Sequence, residues 1–155
     1  MNDGFDLSEI NAFIERLDAI DTEKACKEMM NEVGKLYLSA VVKKTPVGEY
    51  KNNMAEYSKT GGTLRRGWHT DGVRKQGDDY VVEIINSAKN NKGMPYGLYV
   101  EEGHRQNVGQ FVPAIGKRLV RPAVAGQHFV RTACEQAEPK VLPAVQKVVR
   151  KYLKG

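Results

Sequence analysis

Apolar residues recur along this chain with two different periods, and the change of period divides it. From Leu7 the spacing Ile10, Phe13, Ile14, Leu17 is helical, with Ser8 placed to cap, and Asp21-Thr22 marks a second helix start. Cys26, Met29, Met30, Val33, Leu36, Tyr37, Ala40 and Val41 then keep one apolar stripe until Pro46, which lacks the N–H a helix needs. This predicts the longest element of the fold, its stripe a core face rather than a cofactor slot. Beyond Thr60 the period becomes two. Leu64, Arg66, Trp68 and Thr70 would share one strand face, and Arg65, Gly67, His69 and Asp71 the other. Gly77-Asp78-Asp79 reads as a turn, and the β-branched run Tyr80 to Asn86 as the returning strand of a hairpin. Leu64, Trp68, Val82 and Ile84 are the expected core of that sheet, packed against the long helices.

Asn86 to Gly93 is polar and predicts a loop, Tyr96 to Gly103 predicts a helical turn closed by glycine, and His104 to Gly126 predicts an extended excursion. A hairpin through Phe111-Val112 and Arg118-Leu119-Val120 is expected within it. Helical spacing returns with Phe129, Val130, Ala133, and then Val141, Leu142, Val145, Val148, Val149, Tyr152, Leu153. Pro139 and Pro143 predict a break: a short helix up to about Ala137, then a longer one with Pro139 in its first turn, kinked near Pro143. Lys147, Arg150, Lys151 and Lys154 crowd its last turns, where positive charge suits the helix dipole. The fold class expected is α+β, a small antiparallel β-sheet against an N-terminal and a C-terminal helix. One domain, 1–155, carries an inserted loop at about 48–60.

A chain of 155 residues fits that single core. The net charge of +5 suits a nucleic acid or an acidic protein surface, but the charges are mixed along the chain rather than gathered into one run. Cys26 and Cys134 stand far apart in apolar helical patterns and read as two buried free thiols, not as a metal pair. The start of the chain lacks the regions of a signal peptide and no run is long enough to span a membrane, so a reducing cytoplasm is the expected place of synthesis.

Catalytic patterns are thin. His69, His104 and His128 fall in different elements without metal-ligand spacing. Glu101-Glu102-Gly103-His104-Arg105 contains acid, base and cation types, yet neighbours in sequence point apart and read more simply as a solvated rim. Ser8, Ser39, Ser58 and Ser87 lack a nucleophile elbow, and Gly61-Gly62-Thr63 lacks the spacing and lysine of a phosphate loop. No enzyme activity, cofactor or metal is expected.

Binding is the stronger class. The long helix ending in Lys44-Thr45-Pro46-Val47 is followed by Thr60-Gly61 with Leu64-Arg65-Arg66-Gly67-Trp68. Next come Tyr96-Gly97-Leu98-Tyr99-Val100-Glu101-Glu102-Gly103-His104, Gly126-Gln127-His128-Phe129-Val130-Arg131-Thr132-Ala133, and a helix. In that order, over nearly the whole chain, this resembles the tailed-phage neck proteins, also called minor tail, head-tail joining or tail-completion proteins. The resemblance implies an α+β subunit in a homo-oligomeric ring, a hexamer, at the top of the tail tube. Its neighbours there would be a tail-tube or tail-terminator protein and a head-closure or connector protein, with passing contact with DNA and none with a membrane. The place implied is the neck of the virion or of a headless tail-like particle.

The chain departs from the family's usual pattern by about a dozen residues between Pro46-Val47 and Thr60-Gly61. In that insertion Tyr50, Met54 and Tyr57 stand at i, i+4, i+7, a stripe for a short helix that needs a partner to hold it. The candidate subunit or partner interface is therefore Tyr50, Met54, Tyr57, Arg65, Glu101, Glu102, His104 and Arg105. The plain alternative is an ordinary loop leading into a hairpin with solvated arginines. The other functional class is a basic nucleic-acid-binding module using Arg65, Arg66, Arg74 and Lys75.

Overall fold

The computed structural model describes residues 12, 14–15, 17–48, 61–90, 92–113 and 116–154. Those described between 12 and 18 are helical, with Ile14 and Leu17 exposed. Helix α1, Thr22–Lys44, starts as expected, because the Asp21 side chain accepts the Lys24 N–H at 3.0 Å. Ala25, Gly34 and Val41 are its buried positions. Gly34 lets the hairpin approach, since a Cβ there would meet a Val82 methyl at 3.0 Å. Gly48 and Gly61, which flank the insertion, lie so close together that a Cβ on Gly61 would strike the Gly48 carbonyl. Tyr50, Met54 and Tyr57 lie outside the described residues.

The strand expected from Leu64 begins later. Thr63–Arg66 is a single helical turn, α2, and strand β1 runs Trp68–Gln76 against β2, Asp79–Asn86. The turn is closed by Gly67 N–H bonds to Thr63 and Leu64 carbonyls, and it buries Leu64 where a strand would have continued alternating. Register pairs Trp68 with Asn86, Thr70 with Ile84 and, past an irregularity at Asp71-Gly72, Val73 with Val82. This bulge changes the parity of the inward positions from even to odd, which a strict two-residue period misses.

Helix α3, Gly97–Glu102, is the expected helical turn. From it issues a ribbon that the sequence foreshadowed only at its tip. Strand β3, Gly103–Arg105, pairs with β6, Ala123–Ala125, and β4, Phe111–Val112, with β5, Lys117–Arg118. Between the pairs, Gln106 donates to Pro122 and Gly109 to Leu119, which makes one continuous two-stranded arm. Among the described residues the packing of β3 on α3 is the substantial contact that ties the arm to the other elements.

The C-terminal helix is a second correction. Phe129–Lys154 is one helix of 26 residues, α4, with Pro139 and Pro143 inside it, so that it and not α1, with 23, is the longest element. The helical face of buried Phe129, Ala133 and Ala137 continues past the prolines through half-buried Val141 and Val145 to buried Val148, so a single face packs along α1 and outweighs the lost backbone bonds. Cys134, one step round the helix from Ala133, is exposed and Cys26 only half-buried, so the two thiols are not core residues as expected. Helix α1 lies between the hairpin and α4 and runs antiparallel to α4. Lys151 Nζ meets Glu28 at 2.7 Å at one end, while Val41, Phe129 and Ala133 share the core at the other. Leu64 and Ala88 complete that cluster, with Trp68 and Ile84 packed against it; Val82, the fourth expected core residue, lies instead against α1 at Gly34. Among the described residues no helix is long and apolar enough to cross a membrane.

Candidate functional site

The conspicuous sequence stretches converge on the end of the molecule where α1 stops and α4 starts. Thr45 is wholly buried. Its hydroxyl donates back to the Val41 carbonyl at 2.6 Å and accepts the indole N–H of Trp68 at 2.8 Å. Its carbonyl accepts two N–H groups of Arg65, Nε at 3.1 Å and Nη2 at 2.7 Å. The guanidinium therefore neutralises the C-terminal carbonyl end of α1, where a cation is favoured. Trp68 also meets Phe129 edge to face, with centroids 6.4 Å apart. Thr45-Pro46 and Leu64-Arg65-Arg66-Gly67-Trp68, remote in sequence, form one joint.

A second joint ties α3 to α4. Glu101 is buried, and its carboxylate accepts the Val130 N–H at 2.9 Å and the Arg131 N–H at 3.1 Å, capping α4 from another element. Backbone bonds from Gln127 to Val100 and from His128 to Glu101 hold the segment in place. Between the two joints opens an apolar groove lined by Trp68, Ala88, Pro95, Leu98, Phe129 and Val130. Sequence spacing gave no hint that Glu101 faces Val130 and Arg131; the only cue was a carboxylate inside an otherwise apolar turn.

Glu101, Glu102 and His128 bring their ligand-type atoms within 4.8 Å of one another, and they are the described residues that could hold a metal. Both Glu101 oxygens already face N–H groups at the positive end of α4, which opposes a cation there. His69 and His104 stand elsewhere, the first beside the Gly67 carbonyl and the second edge to face with Tyr99. Among the described residues no buried side-chain polar atom lacks a partner. The arrangement offers groups for holding surfaces together.

Of the sequence-predicted interface residues, Arg65 and Glu101 are engaged inside the subunit, as described. Glu102, His104 and Arg105 are exposed at the root of the ribbon. The cations considered for nucleic acid are not gathered: Arg66 bonds the Gly61 carbonyl, Arg74 pairs with Glu83 and Asp71, and Lys75 lies over the Tyr80 ring. At the far end of the helix pair, Lys151 and the Tyr152 hydroxyl both bond Glu28. These bonds hold the Glu28 carboxyl below its ordinary range and raise Lys151, while burial and the same carboxylate push the Tyr152 phenol up.

No curated protein and no solved structure matches the chain. Residues 8–103 match the family model described as "Bacteriophage HK97-gp10, putative tail-component", a span that takes in α1, the Thr45–Arg65–Trp68 joint, the hairpin and α3. The chain belongs to the HK97-gp10-like family of bacteriophage tail components.

Proposed function

We propose that this protein is a non-catalytic subunit of a ring at the top of the phage tail tube, where it joins the tail to the head connector. Family membership carries a structural role in the phage tail and a place in the virion. The finer reading adds where in the tail and what for. The observation that carries it is the family match over residues 8–103, which holds the first of the ordered neck-protein motifs, from Lys44-Thr45-Pro46-Val47 to the Tyr96 segment. The structure is consistent with this use: two helices braced at both ends by side-chain joints make a body, and an arm extends from it. Assembly of particles without the protein tests the reading. Negative-stain images should then show full heads and tails of normal length unjoined, and adding the purified protein should join them. Tails that fail to polymerise would place the protein in the tube instead.

A further inference from the structure

We propose that the ribbon is the hand of a head-to-tail contact, and that it grips the acidic N-terminal segment of a second copy of this chain. This rests on the ring reading above and specifies which surfaces meet. Between Gly103 and Gly126 there are four cations, Arg105, Lys117, Arg118 and Arg121, and no carboxylate. All four are exposed, and beside them stand exposed Val108, Phe111 and Val120, the last at 82%. An arm with apolar and positive groups and little packing on its own body is built for another surface.

The matching surface is on the same chain. The first 23 residues contain seven Asp or Glu and one cation, Arg16. In the described part, Glu15 and Asp18 carry no ion pair among the described residues, and Ile14 and Leu17 are exposed beside them. Both surfaces thus mix apolar side chains with charge that is in no ion pair among the described residues, of opposite sign. They also lie at opposite ends of the helix pair. The ribbon is rooted where α1 ends and α4 begins, and the acidic segment precedes α1, whose 23 residues span about 35 Å. Two complementary patches at opposite ends of one subunit produce a heterologous contact, the type that closes into rings.

The test is a charge swap read by sedimentation velocity of the full-length protein at low salt. Wild type should self-associate, and added salt should weaken it. Arg105→Glu with Arg121→Glu, or Glu15→Lys with Asp18→Lys, should each weaken association roughly tenfold or more, and the four substitutions together should restore it. Melting temperatures should stay at the wild-type value. Should Arg105→Glu disturb the root, Lys117→Glu with Arg121→Glu asks the same question from the tip. A wild type that stays monomeric, reversals without effect, or a four-fold variant no better than either pair each overturn the contact. So does retention of duplex DNA that falls on ribbon reversal while association is unchanged. None of these outcomes bears on whether particles lacking the protein stay unjoined, so the two readings fail separately.

Discussion

Thr45 ties three segments through one residue: its hydroxyl bonds back to the last turn of α1 and accepts from Trp68, and its backbone carbonyl accepts from Arg65. Thr45→Val keeps the volume and removes the hydroxyl, leaving the indole N–H of Trp68 without its partner. A loss of about 1–3 kcal/mol is expected. Trp68→Phe loses the same bond together with part of the contact to Phe129. In urea unfolding the double variant should then fall short of the sum by about 1 kcal/mol, and strict additivity would mean that the bond contributes nothing. The participants were all conspicuous in the sequence, Thr45 before proline, Arg65 and Trp68 after glycines. Their roles were not, because Arg65 reads as an outward cation until the carbonyl end of α1 is placed beside it. Glu101 and His128 were further out of reach, since only the folding of α3 onto the start of α4 makes them neighbours.

At the scale of elements, α4 shows what a local rule can and cannot decide. Pro143 supplies no N–H for the Pro139 carbonyl, and that local loss predicted a break. The burial of one face along α1 is a property of two helices together and is invisible in either alone. Pro143→Ala at this exposed position should restore the bond and raise stability by roughly 1–3 kcal/mol in urea unfolding. A lower stability would show that a proline bend fits α4 to its partner. The long first helix, the hairpin and the small α3 were legible because each follows from spacing within ten or twenty residues. The late start of β1 and the bulge at Asp71-Gly72 were not, because each shifts a parity that the pattern presumes constant. The far-end brace adds a pH signature. The Glu28 carboxyl is held below its ordinary range, so its contribution is present above the ordinary carboxylate pKa and disappears as pH falls through the lowered value. Wild type should therefore melt above Glu28→Gln at neutral pH, with the two curves meeting in acid; a constant gap down to low pH would exclude the ion pair as its cause.

The whole molecule is a braced body with a detachable-looking limb. Replacing residues 107–120 by a two-residue turn should leave the melting temperature within the error of measurement, since among the described residues β4 and β5 at the tip pack chiefly on each other. A large drop would mean that the ribbon supports the core. The root is another matter. A Cβ on Gly103 would collide with the Val124 carbonyl and the Gly126 nitrogen, and one on Gly126 with the backbone of Glu101 and Glu102. Two residues without side chains therefore set the angle at which the ribbon leaves the body, while its length and surface are set elsewhere. Reach and aim are separately adjustable. In a ring each copy repeats the same angle, and the errors add round the circle rather than averaging out. A change of a few degrees at Gly103 or Gly126 could leave every subunit folded and every pairwise contact nearly intact, and still turn a closed ring into an open spiral.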